Sequence, residues 1–296
     1  MATLEFNLDN SAFSLLSCSR KFQLHVIRGL AAPKNDEAAF GDGVHKSLEY
    51  LDKGDSPDDM VVKLQKQGIT DIPKVLSLIT FFKSAIKLPP PIILLDNKPA
   101  VEIKFRHHYA SIMLPGSHEK VEIYLVGTID RIHIDEKTGS LVILDYKTTS
   151  AATKYQIDKK IKEYQLAFQL AFYLYALKNF GILPASYLEL IESHKYRLEI
   201  MLLSYNTNPP SFTTIPRFAF NDDFINREVP MIINAKINQS IAIAALNGPA
   251  PKDGMTVYQA CTFCGYRNAC LVAGTERENE ILSHFETIEY NPLNFR

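Results

Sequence analysis

Asp130 and Asp145 interrupt two apolar runs, GTIDRIHI and SLVILDYKT, and Lys147 follows the second aspartate by two positions. A carboxylate among Val, Ile and Leu is costly unless hydrogen bonds or a cation offset its desolvation. Two carboxylates a few Å apart repel, and one is driven to keep a proton unless a cation lies between them. A hard divalent ion, Mg2+ or Mn2+, meets that need because oxygen donors suit it. If both runs are strands, Lys147 shares a face with Asp145. Its ammonium can then stabilise developing negative charge or orient a water. The trio reads as a metal site for hydrolysis, with a structural salt-bridge cluster as the rival reading.

The tripeptide Asp-x-Lys alone says little, because it occurs at Asp96, Asp135, Asp145 and Asp158. Asp135 and Asp158 lie in polar turn or helix-start sequence, where solvated charge is the plain explanation. Asp96 ends an apolar run but is followed at once by Pro99. Asp145 differs because Thr138-Gly139 folds its run back on the one carrying Asp130, as a β-hairpin.

The elements around that hairpin alternate in type. Helices are expected over residues 10 to 30, opened by an Asn10/Ser11 cap, over about 38 to 51, and near 57–67 and 73–87. Three strands follow, AVEIKFRHHYA, VEIYLVGTIDRIHI and SLVILDYKT. A long helix is expected at about 158 to 180, then a strand pair, ASYLELIES and YRLEIMLLSY, turning at His194-Lys195. A helix over 220 to 246 precedes the tail. The order implies an α/β, mixed α+β fold with helices at both ends. One domain over 1–296 is expected, with a helical part (1–90), a catalytic sheet and helix (91–205) and a C-terminal helix and tail (206–296).

Composition narrows the class. The 296 residues are 46% hydrophobic, enough for a substantial core. The 32 basic residues balance 33 acidic ones, so attraction of the whole molecule to nucleic acid is not indicated. The N-terminus lacks a basic and apolar leader, and no apolar run reaches spanning length, so a cytoplasmic protein without membrane contact is expected. Four cysteines in such a chain point to metal or redox chemistry over disulfides.

Four short motifs occur in order: Gly41-x-x-x-His45, Gly127-x-x-Asp130-Arg131, Ile143-x-Asp145-Tyr146-Lys147-Thr148 and Gln169-x-x-x-Tyr173. Together they resemble the RecB-type branch of the PD-(D/E)XK nucleases, with a restriction-endonuclease-like core sheet. The resemblance implies that His45, Asp130 and Asp145 ligate the metal, with the main-chain carbonyl of Tyr146 as a further ligand. It implies that Lys147 assists catalysis, that Gln169 and Tyr173 position DNA, and that Glu102 on AVEIKF has a weaker supporting role. This copy reads D-x-K, where E-x-K also occurs in the family.

Cys261, Cys264 and Cys270 share one compact loop at metal-ligand spacing, and Cys18 is the only other cysteine. One four-cysteine site is the economical reading, and structural Zn2+ satisfies the same arithmetic. The pattern C-x-x-C-x-Y-x-x-x-C with one Cys far upstream resembles the iron–sulfur staple of AddB-type and CRISPR-associated RecB-like exonucleases, which implies a 4Fe-4S cluster. Such a link would close most of the chain into a loop, on the order of 5 kcal/mol by cross-link entropy. Arg20, Lys21 and Arg28 on the first helix, with Lys154, Lys159, Lys160 and Lys162 after the hairpin, are expected to track phosphates.

The expectation is thus a Mg2+- or Mn2+-dependent exonuclease on single-stranded DNA or free ends, acting 5′ to 3′. It would serve recombination, repair, or phage or CRISPR DNA processing in a prokaryotic or phage-infected cell, beside a helicase or similar partner. Two rivals are a non-catalytic DNA-end-binding iron–sulfur subunit and a zinc-stabilised or redox-sensing scaffold.

Overall fold

The computed structural model describes residues 4–32, 36–69, 71–117, 119–217, 220–256, 261–262, 264–290 and 292–293. Its main strands are β1 (Leu4–Leu8), β2 (Val101–Met113), β3 (Lys120–Ile134), β4 (Leu141–Thr149), β5 (Tyr196–Ser204) and β6 (Ser211–Arg217). Its longer helices are α1 (Asp36–Asp52), α2 (Pro57–Lys66), α3 (Ile72–Ala85), α4 (Lys154–Gln165), α5 (Gln169–Asn179), α6 (Ala185–Glu192) and α7 (Val229–Ala244). The fold is mixed α+β, with a mixed sheet flanked by helices, as the element order implied. The chain forms two compact units. One comprises Met1–Lys34, Phe105–Gly127 and Asn226–Phe295; the other comprises Asn35–Lys104 and Thr128–Ile225.

In the second unit the second half of β3 pairs antiparallel with β4, in the register Arg131↔Leu144 to Ile134↔Leu141. β4 runs parallel to β5, and β5 antiparallel to β6. Leu141 through Leu144 are fully buried, which explains an unbroken apolar run: a strand covered on both faces does not alternate. The hairpin closes where expected. The Asp135 carboxylate accepts from the Lys137 and Thr138 N–H groups at 2.7 and 3.2 Å, and Gly139 turns the chain at φ +66°. Val44 and Leu48 of α1 and Leu78 and Phe82 of α3 pack with Leu144, Tyr146, Met201 and Leu203. Each such buried side chain contributes roughly 1.5–3 kcal/mol, so this core holds α1 firmly on β4.

Two expectations in this unit are corrected. The long helix expected at 158 to 180 is two helices, α4 and α5, because the chain turns at Leu166–Phe168 and leaves Leu166 exposed. ASYLELIES is helix α6, not a strand. Pro184 sits at its N-cap and only Ile191 is buried, so a short apolar run took the helical period. The turn at His194 is present, at φ +55°, but it joins a helix to β5.

In the first unit β1 pairs parallel with the start of β3, Leu4↔Val121 to Leu8↔Leu125. The single helix expected over 10 to 30 is broken into Asn10–Leu15, Ser19–Phe22 and a π-helical turn, Gln23–Ile27. Its cap is Asp9, whose carboxylate accepts from the Ala12 N–H at 2.7 Å, not Asn10 or Ser11. Cys18 stands at the first break as N-cap of Ser19–Phe22. The helix expected over 220 to 246 is α7, preceded by a π-helical segment, Phe224–Glu228; Pro230 in the first turn of α7 lacks the N–H that would extend it backwards. Among the described residues no helix is long and apolar enough to cross a membrane.

Candidate active site

The hairpin brings its two aspartates to one place. The paired register runs to Arg131↔Leu144, and Asp130 and Asp145 are the next residues along their two strands. There Asp130 Oδ2 accepts a hydrogen bond from the Tyr146 N–H at 2.7 Å, which ties the acid to the neighbouring strand. Asp145 Oδ2 lies 2.5 Å from Lys147 Nζ, so strand alternation does put acid and amine on one face. Asp145 Oδ1 accepts from Gln169 Nε2 at 2.9 Å, and that nitrogen also donates to the Tyr173 hydroxyl at 2.7 Å. The break before α5 sets Gln169 at that helix's first residue, from which it reaches the acid. Both aspartate side chains are about 1% exposed, whereas Lys147 and His45 are about 20% exposed. The site is therefore open to solvent on the side of the lysine and histidine.

The side chain of Tyr146 points the other way, into the core under α1 and α3, and burial pushes its phenol far above the ordinary range. Tyr164 of α4 lies near the site as well. Its phenol is raised by burial and then by the charge of Asp145.

His45 reaches Asp130 from α1. A Cβ at Gly41, one turn earlier, would lie 3.0 Å from the Thr148 hydroxyl, so glycine permits the close approach of α1 to β4. His45 Nδ1 is 3.4 Å from Asp130 Oδ2. With Glu102 the two form a group whose ligand atoms all lie within 4.8 Å of one another. An imidazole and two carboxylates are a fitting donor set for Mg2+ or Mn2+. Glu102, expected only in support, thus stands in this group, and Asp145 is engaged beside it by Lys147 and Gln169. Glu102 also has φ +50°, a left-handed conformation that costs a non-glycine residue about 1–3 kcal/mol. No spacing in the sequence signals that strain.

Of the other Asp-x-Lys copies, Asp158 is exposed on α4. Asp96 and Lys98 form an exposed pair at 2.7 Å, while Asp135 holds the hairpin turn and pairs with Arg197. Arg131, next to Asp130, is buried and bonds Asp52 and the Pro89 carbonyl. Of the expected phosphate-tracking residues, Lys154 is exposed and Lys21 half-buried. Arg20 is not on such a surface: it is 2% exposed and paired with Glu278, because an unpaired guanidinium cannot be buried.

The four cysteines carry free thiols. Burial raises the Cys270 thiol, the neighbouring Cys264 and Cys18 raise it further, and Arg20 opposes them. Those three sulfurs share one locality in the first unit. A Cβ at Gly254 would come within 2.9 Å of Cys18 Sγ, so that glycine leaves room beside the sulfur. Cys261 is exposed, while residues 257–260 and 263 lie outside the described ones.

Comparison with known families matches residues 10–271 to the PD-(D/E)XK nuclease superfamily. No curated protein matches the chain. Among solved structures, the crystal structure of SSO0001 aligns at 13% identity over 88% of this chain and 96% of that one, with a TM-score of 0.29.

Proposed function

The chain belongs to the PD-(D/E)XK nuclease superfamily, and from that premise we propose that it is a metal-dependent exonuclease acting on single-stranded DNA or free DNA ends, in the 5′ to 3′ direction. The observation that carries the reading is the meeting of His45, Glu102 and Asp130 within 4.8 Å, beside the Asp145–Lys147 pair.

His45, Glu102 and Asp130 would hold the divalent ion, with Asp145 next to it. Bound there, the ion supplies Lewis-acid stabilisation of the scissile phosphate and a lowered pKa for the attacking water. Lys147 places its ammonium where negative charge grows on the phosphoryl oxygens. Gln169 holds Asp145 in orientation, and Tyr173 holds Gln169. Tyr146 donates its main-chain N–H to Asp130, which helps hold that carboxylate turned toward His45. Cys18, Cys261, Cys264 and Cys270 would ligate a 4Fe-4S cluster that fastens the N-terminal helices to the C-terminal tail. Lys154, exposed at the start of α4 after the hairpin, would contact phosphate.

The test is digestion of 5′- and 3′-labelled single and double strands by the full-length protein with Mg2+, Mn2+ or EDTA. Label is expected to be released from 5′-labelled single strands first, only with metal, and not by Asp130→Asn. Digestion by Asp130→Asn at the wild-type rate would falsify the assignment, and early release of the 3′ label would reverse the polarity.

A further inference from the structure

Helix α4 has no buried residue, although a helix of 12 residues is marginal on its own. Its start is fixed by a reciprocal cap: the Thr153 hydroxyl accepts from the Gln156 N–H at 3.3 Å, and Gln156 Oε1 accepts from the Thr153 N–H at 3.1 Å. Ile157, Ile161 and Tyr164, at helical spacing, form its half-buried face. The opposite face carries Tyr155, Lys159, Lys162 and, at the C-cap, Leu166, which the helical period gathers into about 60° of arc. A surface helix ordinarily turns its large apolar groups to the core and its charges to water. Here Tyr155 is 79% exposed and Leu166 82%.

The charge on this outer face has one sign. Lys160, at the edge of the half-buried face, pairs with Glu163 at 2.7 Å, whereas Lys159 and Lys162 have no carboxylate partner among the described residues. An exposed aromatic ring beside uncompensated ammonium groups complements a single nucleic-acid strand, whose bases offer π-faces and whose phosphates offer charge. Duplex DNA would engage the lysines but leave the tyrosine no base to stack on. An apolar protein surface would cover the tyrosine and leucine but leave the lysines desolvated without acids. The helix is also tied to the active site at both ends. Thr153 follows shortly on β4, which carries Asp145 and Lys147, and the turn after Leu166 leads into Gln169, which donates to Asp145 Oδ1 at 2.9 Å.

We propose that the outer face of α4 guides the single-stranded substrate, with Tyr155 stacking on a base and Lys159 and Lys162 holding phosphates of the segment beside the scissile bond. This rests on the reading of the chain as a nuclease on single strands, and it gives Tyr155 a role outside the metal-site motifs. The stripe from Tyr155 to Leu166 is about 17 Å long, which matches about five nucleotides at B-form spacing and fewer in an extended strand.

The experiment measures binding of a labelled oligothymidine strand by fluorescence anisotropy over a titration of NaCl. It uses the full-length protein in the Asp130→Asn background, so that the strand stays intact. Tyr155→Ala is expected to weaken binding about ten-fold, and Tyr155→Leu by as much, because leucine keeps the apolar bulk but has no π-face. Tyr155→Phe is expected to stay within about two-fold of the parent. Replacing Lys159 and Lys162 together by Gln should reduce the slope of log affinity against log salt by about 1.4, at about 0.7 for each phosphate contact. The substituted side chains are exposed, so the variants are expected to melt with the parent; should Tyr155→Ala melt lower, the leucine and phenylalanine variants carry the comparison. Tyr155→Leu binding as tightly as the parent, or a lysine pair whose loss leaves the salt slope unchanged, overturns the assignment of α4. A dimer that Tyr155→Ala converts to a monomer with strand binding intact also overturns it, in favour of a second copy on this face. Digestion of single strands by the wild type in either case leaves the nuclease reading standing. Strand binding that depends on Tyr155, in a protein that cuts no DNA with Mg2+ or Mn2+, supports α4 and removes the nuclease. Wild type that binds no single strand removes both.

Discussion

Replacing Lys147 by Met tests the centre of the site most directly. Lys147 Nζ lies 2.5 Å from Asp145 Oδ2, and the aspartate side chain is 1% exposed. At an effective dielectric constant of 20, that separation corresponds to an attraction of roughly 7 kcal/mol before desolvation is subtracted. Breaking a buried pair by removing one partner costs about 3–5 kcal/mol. Lys147 keeps 21% exposure, which permits water to reach the abandoned carboxylate, so the loss belongs at the lower end, about 3 kcal/mol. A divalent ion can restore the missing positive charge to Asp145. Added Mg2+ should therefore recover part of the lost stability, and the variant's apparent Mg2+ affinity should not fall. Turnover is a different matter, since a methionine offers nothing to the transition state. Loss of one such group costs about 10²–10³ in rate. Single-turnover digestion over a Mg2+ titration, with thermal melts on the same samples, reads all three effects. Turnover within ten-fold of wild type, or equal melting losses with and without Mg2+, would refute this account of Lys147.

Other perturbations probe the surrounding geometry. Glu102→Gly removes a ligand but relieves the left-handed strain at φ +50°, so it should lose activity and Mg2+ affinity while melting no lower than Glu102→Ala, by a margin of about 1 kcal/mol. His133 is 4% exposed, and burial, then Arg131, depress its pKa from 6.5 to about 4. The unfolded chain thus takes up a proton below pH 6.5 that the folded one refuses until about pH 4, so stability falls through that window by up to about 3 kcal/mol. His133→Phe should remove that part of the acid sensitivity, as read from urea midpoints at pH 7 and 4.5. A Cβ at Gly127 would lie 2.6 Å from the Phe105 ring, so Gly127→Ala should cost about 1–3 kcal/mol, and Phe105→Leu in the same chain should restore part of it.

The parts of this site that could be read in the sequence are those set by local pattern. An acid in a doubly covered strand violates hydrophobic continuity, so Asp130 and Asp145 stood out; period-two alternation then placed Lys147 beside Asp145, and a Thr-Gly turn joined the two strands. Where several local structures satisfy one pattern, tertiary packing decided instead. The apolar spacing from 157 to 175 suits one helix, yet the chain breaks at Leu166–Phe168 and so delivers Gln169 to Asp145. The short apolar run of α6 fits either period, and Pro184 with a single buried isoleucine tipped it to helix. Glu102 was named only through the resemblance, as a supporting acid, and the setting of Arg20 was beyond any local reading. The position of Glu102 depends on a left-handed backbone that only the finished sheet can impose. Arg20 reads as a solvated helical charge until Glu278, from the far end of the chain, closes over it. Arg20 is held by a partner distant in sequence. Burial of charge is the clearest mark of function here, because it is stable only when the rest of the fold is arranged to answer it.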